Sequence, residues 1–205
     1  MIGIVDYGMG NVGSIHNMLR KLGHESAIIS DPAQLATADK LILPGVGAFD
    51  NGMKRLQDTG IREAIEERVL THQTPILGIC LGMQLLMDGS DEGDLPGFSW
   101  VSGRAVRFKF DANKKSYPVP HMGWNYTRAA TEHVLLSGLD EKSRFYFVHS
   151  FRVVTKQREN VLTTTNYGGI EFVSSVSKGR IFGVQFHPEK SHRFGMQLLD
   201  NFAQL

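Results

Sequence analysis

Residues 75–86 read PILGICLGMQLL, and the fold turns on where this stretch is divided. PILGI is a short apolar run without alternation, the pattern of a strand buried on both faces. CLGMQLLMD then opens a helix. A fully buried strand running straight into a helix belongs to a parallel sheet covered by helices on both sides. The junction holds Cys80, the only cysteine in the chain, with Gly78 and Gly82 two positions away on either side.

The same alternation continues toward the N-terminus. IGIVD at residues 2–6 is a strand that ends at a glycine-rich turn. Val12, Ile15, Met18, Leu19 and Leu22 then fall at helical spacing, with Gly23 as a C-cap. SAIIS (26–30) and KLILP (40–44) read as further strands, the second leading into PGVGAF, and Ile61, Ile65 and Val69 mark another helix. Beyond residue 100 the pattern changes. RAVRFKF, RFYFVHSFRVV, NVLTTTNY, EFVSSVSK and GRIFGVQF are β-rich runs separated by turn residues, which predicts an antiparallel addition. Phe194, Leu198 and Phe202 place a last helix. No repeat or linker interrupts residues 1–205, so they read as a single α/β domain, mostly parallel with an antiparallel β addition in the second half.

Composition agrees with an ordinary globular protein: 205 residues, 41% apolar and 21% charged. A formal net charge of +1 gives no electrostatic reason to expect nucleic acid or a membrane surface. No apolar run approaches the roughly 20 residues that span a bilayer. The opening MIGIVDYG enters a strand pattern without a basic leader, and a lone cysteine cannot form an internal disulfide; a cytoplasmic protein is expected.

Gly78-Ile79-Cys80-Leu81-Gly82 has the layout of a nucleophile elbow, in which a sharp strand-to-helix turn lifts the nucleophile. A helix N-terminus favours thiolate over thiol, and the N–H of Leu81 is set to face a developing oxyanion. The plainer reading is a small core residue beside a tight turn. A cysteine nucleophile needs a base, and VQFHPEKS (184–191) supplies one. His187 emerges from a strand end, Pro188 stops the ladder, and Glu189 could hold the ring in one tautomer. LPGVGAF (43–49) ends another strand, and its Val46–Gly47 region could turn a second N–H toward the oxyanion. Each element alone also fits a simple turn. Together, at the C-terminal edge of one sheet, they favour covalent catalysis.

Gly8-Met9-Gly10-Asn11-Val12-Gly13 spells G-x-G-x-x-G between a predicted strand and helix, with Asp31 near the place of a ribose-binding acid. A nucleotide-binding module is therefore the different-class alternative. Asp6-Tyr7 separates the glycines from the strand, which favours a plain turn or an interaction surface.

PGVGAF, GICLGMQLL and GVQFHPEKS, in this order, resemble the triad-type class I glutamine amidotransferases. DYGMGN, PHMGWN (120–125) and YFVHSF (146–151) narrow the resemblance to the glutaminase subunits of imidazole glycerol phosphate synthases. It implies a flavodoxin-like three-layer sandwich and a Cys80–His187–Glu189 triad. It also implies that Gln84 and the backbone at Gly47, Ser150 and Phe151 hold L-glutamine. Asn11, Trp124, Tyr146 and Lys190 would face a synthase (cyclase) subunit in a heterodimer of histidine biosynthesis, which receives the ammonia. No metal or organic cofactor is implied. GNVGSIHNMLRKLG and DGSDEGDLPGFSWVSGRAVRF are instead similar to glutaminases that feed N-sugar amidotransferases of surface polysaccharide synthesis, the alternative partner.

Overall fold

A computed structural model describes residues 1–110 and 117–205. In chain order its elements are β1 (Ile2–Val5), α1 (Val12–Lys21), β2 (Ser26–Ile29), β3 (Lys40–Gly45), α2 (Phe49–Asp58), α3 (Ile61–Glu66), β4 (Ile76–Cys80), α4 (Leu81–Leu85), β5 (Gly89–Ser90) and β6 (Gly103–Arg107). They continue with β7 (His121–Tyr126), β8 (Arg128–Ala129), β9 (Arg144–His149), β10 (Phe151–Thr155), β11 (Val161–Tyr167), β12 (Ile170–Lys178), β13 (Ile181–Val184) and α5 (His192–Gln204).

The main sheet runs β2-β1-β3-β4-β13-β12-β10-β6-β5, with β11 and β8 attached beyond β12. From β2 to β13 every pairing is parallel, and β12 then turns the sheet antiparallel. Side-chain alternation builds a core on each face. Leu41 and Leu43 of β3 join Phe49, Met53 and Leu56 of α2 and Ile61 and Ile65 of α3 in one core. Ile42, Leu77 and Ile79 join Ile15 and Leu19 of α1 and Leu198 and Phe202 of α5 in the other. The expected α/β sandwich with a parallel centre and an antiparallel second half is what the chain forms. No helix among the described residues is long and apolar enough to cross a membrane.

Two sequence expectations need correction. RFYFVHSFRVV is not one strand. It breaks at Ser150 into β9, which pairs with β7 in a separate two-stranded sheet, and β10, which pairs with β6 and β12. Phe145, Phe147, His149, Phe151 and Val153 are all buried, so the period-2 signal passes straight through the corner and hides it. The helix predicted from CLGMQLLMD stops at Leu85 because a returning segment takes its carbonyls: Phe98 N–H donates to Leu85 O at 2.8 Å and Trp100 N–H to Leu86 O at 3.0 Å.

The β4–α4 junction is packed tightly against β3. A Cβ built on Gly82 would lie 1.8 Å from the Leu43 carbonyl oxygen, and one on Gly78 would lie 2.6 Å from the Gly82 carbonyl oxygen. Both neighbours are backbone and cannot swing aside. Gly82→Ala is therefore expected to cost about 3 kcal/mol or more, at the upper end of overpacking effects. Urea denaturation of the variant checks this; an unchanged midpoint would contradict it.

Candidate active site

β3, β4 and β13 lie side by side in parallel, with Gly45 opposite Cys80 and Val184 opposite Ile79. Their C-terminal ends therefore bring the Val46–Gly47 loop, Cys80 and the segment after β13 to one edge. Cys80 has φ 56° and ψ −108°. A side-chain-bearing residue at positive φ is strained by roughly 1–3 kcal/mol, and such strain collects at functional sites. Gly82 allows the turn to sit directly on β3, and Gly78 allows α4 to fold closely back on β4. Because α4 has only 5 residues, few aligned peptides contribute to its dipole. An imidazole stands beside the sulfur.

That imidazole belongs to His187. Its backbone N–H donates to Tyr146 O at 2.9 Å, which ties it to β9. Its Nδ1 lies 2.8 Å from Glu189 Oε1, and the two side chains are only 2% and 3% exposed. Pro188 and Glu189 lie in a 3₁₀ turn that folds the carboxylate back onto the ring. Among the described residues, neither His187 Nε2 nor Glu189 Oε2 has a hydrogen-bond partner. Burial alone disfavours the imidazolium, but the Cys80 sulfur beside the ring and the Glu189 carboxylate bonded to Nδ1 outweigh it and push the His187 pKa up to about 10. The ring is oriented through Nδ1, its Nε2 is left free for proton transfer, and both neighbours favour the cation.

Next to Cys80 is a cavity of about 470 Å³. Val46, Gly47, Leu81, Gln84, Ser150 and Phe151, named from the sequence for the oxyanion and the substrate, all line it together with Cys80. Gln84 is fixed by two bonds from Nε2, to Gln185 Oε1 at 3.1 Å and to Phe151 O at 3.3 Å.

Residues 3–205 match the family model described as glutamine amidotransferase class-I. The chain belongs to this family. As an amidotransferase of this class it is 52% identical over 204 residues to the Methanococcus maripaludis protein named imidazole glycerol phosphate synthase subunit HisH 2, covering 100% of this chain and 99% of the relative. It is 46% identical over 205 residues to the protein of the same name from Pseudomonas aeruginosa, covering 100% of both. A solved glutamine amidotransferase superposes with a TM-score of 0.72 at 19% identity, over 100% of this chain and 99% of that one. PurLQS from Thermotoga maritima gives 0.71 at 19% identity, over 99% and 97%. At such identities these two structures speak for the fold alone.

The remaining residues named from the sequence divide into two groups. Trp124, Tyr146 and Lys190 of this amidotransferase meet on one face: the Trp124 and Tyr146 rings are 6.1 Å apart, and Lys190 Nζ stands 5.7 Å from the Tyr146 ring centre. Asn11 is exposed at the start of α1, where its side chain accepts the Ser14 N–H at 3.2 Å. The G-x-G-x-x-G loop is used by the chain itself. A Cβ on Gly10 would lie 3.2 Å from Gly45 N, so that glycine admits the β3 loop. Gly13 faces open space, and Asp31 accepts the Ala33 N–H at 3.0 Å as a helix cap. The features behind the nucleotide alternative thus have local structural uses.

Sequence reasoning missed three neighbours of the site. Gln185 is fully buried, and its Nε2 approaches Cys80 Sγ at 3.8 Å. His149 lines the cavity. Both sat inside quoted motifs without a role of their own. Glu92 also lines the cavity and accepts the Phe49 N–H at 2.9 Å, capping α2. In the sequence it is one of several acids in a polar loop, and no local signal separates it from them.

Proposed function

We propose that this chain is a glutaminase subunit, hydrolysing L-glutamine to glutamate and ammonia and passing the ammonia to a synthase subunit that makes imidazole glycerol phosphate in histidine biosynthesis. The observation that carries the reading is a buried His187–Glu189 pair beside a strained Cys80 that lines a cavity with room for an amino acid. Cys80 passes its thiol proton to His187, and Sγ attacks the side-chain amide carbon of glutamine. The C–O π electrons move onto oxygen, where the N–H groups of Leu81 and the Val46–Gly47 region are the donors. His187 gives its proton to the amide nitrogen, the C–N bond breaks, and ammonia leaves a γ-glutamyl thioester on Cys80. Water, losing a proton to His187, then attacks the thioester; the C–S bond breaks, glutamate departs, and His187 returns that proton to Sγ to restore the thiol.

Glu92 is the one acidic side chain among the described residues that line the cavity, and we assign it the substrate α-ammonium. Glu92→Gln should raise KM for glutamine about tenfold or more with kcat little changed, the sign of lost ground-state binding. Steady-state kinetics that show the opposite split would remove Glu92 from this role.

The reading includes a cytoplasmic heterodimer docked through Asn11, Trp124, Tyr146 and Lys190, with one amidotransferase domain over residues 1–205. The exposed Met122, Trp124 and Tyr126 of β7 support a docking face there. Glutamine turnover is measured for the chain alone, with a histidine-pathway cyclase and its ribotide, and with an N-sugar amidotransferase. Stimulation by the cyclase is expected, from a low basal rate, because losing one oxyanion donor in an unpartnered loop costs roughly 10²–10³ in kcat. Stimulation only by the sugar enzyme would move the chain to the second partner. Full activity alone would overturn partner activation.

A further inference from the structure

The cavity wall formed by Ser150 and Phe151 is a corner between two sheets, and a pair of buried histidines holds it. His149 Nδ1 lies 2.7 Å from the Phe151 carbonyl oxygen. A carbonyl only accepts, so Nδ1 carries the proton and Nε2 is left as an acceptor. Nε2 is 3.0 Å from His121 Nδ1, which must therefore be the donor. His121 Nε2 then accepts from the Asn125 side-chain amide at 3.2 Å, and the second N–H of that amide goes to Asn166 O at 2.9 Å. Asn125 Oδ1 accepts the Tyr126 N–H at 2.8 Å. Every polar atom of both rings is used, and only one proton arrangement satisfies them: both neutral, both protonated on Nδ1. A second proton on either ring would set N–H against N–H. Burial favours the same state, lowering His149 to about 3 and His121 to about 4.

The relay ends on an atom that matters to the site. The Phe151 carbonyl that receives the His149 proton also receives Gln84 Nε2 at 3.3 Å. At the other end, His121 is held between Phe147 and Tyr167, with ring centres at 4.8 and 4.0 Å. His121 and His149 are direct cross-strand partners of β7 and β9. The next residues of β7 on the opposite face are the exposed Met122 and Trp124.

We propose that His149 is a positioning residue for glutamine, fixing the Ser150–Phe151 corner through its Nδ1–H, and that His121 sets the tautomer that makes this possible. The proposal rests on the reading of the cavity as a glutamine site. Neither ring has a chemical step in the mechanism; what they supply is a wall that does not move when substrate enters.

Two measurements test it. In ¹⁵N NMR at neutral pH, both histidines should show a protonated Nδ1 and a bare Nε2, with no titration between about pH 5 and 8, where an ordinary imidazole changes charge. A protonated Nε2 on either ring would overturn the relay. The second compares two reagents for Cys80: diazo-oxonorleucine, which must occupy the amino-acid cavity, and iodoacetamide, which need not. His149→Phe and His121→Phe keep an aromatic ring and delete the relay. Both should raise the half-saturating diazo-oxonorleucine concentration about tenfold, the scale of one lost buried hydrogen bond, with iodoacetamide rates nearly unchanged. His121→Asn, which keeps a donor near the Nδ1 position, should recover most of the loss. Unchanged diazo-oxonorleucine saturation in the Phe variants, or equal damage to both reactions, would overturn the inference. If the unsubstituted chain takes iodoacetamide but never diazo-oxonorleucine, the glutamine reading fails instead, and the NMR tautomers still judge the relay.

Discussion

Cys80→Ala is expected to abolish glutamine hydrolysis, with a loss on the order of 10⁵–10⁶ in kcat, while synthesis from added ammonium by the same complex continues. The two halves of this result have separate causes. Sγ is the only atom at the cavity floor placed to form the thioester, and a methyl group cannot replace it. Ammonium bypasses that chemistry, because under the proposed function the group that accepts ammonia lies on the synthase subunit. Alanine fills nearly the same volume in a wall that is 6% exposed, so folding and docking should survive. Substantial glutaminase activity in the Ala variant would remove Cys80 from the mechanism. Loss of ammonium-dependent synthesis as well would mean that the substitution damages the complex.

The second large effect separates the histidine from its carboxylate. His187→Ala should approach the Cys80→Ala loss, since the two residues act as one unit. Glu189→Gln should cost about 10²–10⁴, because the ring keeps its place but loses its fixed tautomer. The same pair gives a pH signature. Neighbouring Cys80 and Glu189 raise the folded His187 pKa from its ordinary 6.5 to about 10. The stabilisation they give the imidazolium is therefore fully present below the unfolded value and disappears as pH rises through about 10. Glu189→Gln should lose more stability at about pH 6 than above pH 10, as read by denaturant titration. A loss that is equal at both would show that the carboxylate does not act through the charge on His187. Comparable mild kinetic losses in both variants would reduce the segment to a structural turn.

The parallel half of the fold was legible because its signals are local. A buried strand such as PILGI, a glycine at a turn and apolar residues at helical spacing each announce one element, and right-handed β–α–β connection leaves few ways to assemble them. Cys80, His187 and Glu189 were legible for a related reason: a parallel sheet sends successive strand ends to one edge, so motifs that end strands meet there. The corner at Ser150 was not legible, since buried alternation from Phe145 to Val153 continues across it. Nor was β7: HMGWNY has a glycine in the middle and three large side chains turned outward, which makes a poor strand pattern. Gln185, Glu92 and the His121–His149 pair depend on contacts between segments far apart in sequence, and no spacing encodes them. G-x-G-x-x-G carried the opposite risk: its second glycine is needed for close approach, but what approaches is β3, not a phosphate.

The central claim, that Cys80 is a covalent nucleophile toward glutamine, is tested most directly by mass. Peptide mapping after acid quench of the chain turning over glutamine, with its stimulating partner present, should find a γ-glutamyl adduct on the peptide containing Cys80 and nowhere else. The adduct should be sensitive to hydroxylamine, as a thioester is, and absent from His187→Ala. Steady release of glutamate and ammonia with no adduct on Cys80, or with the adduct on another residue, would contradict the account.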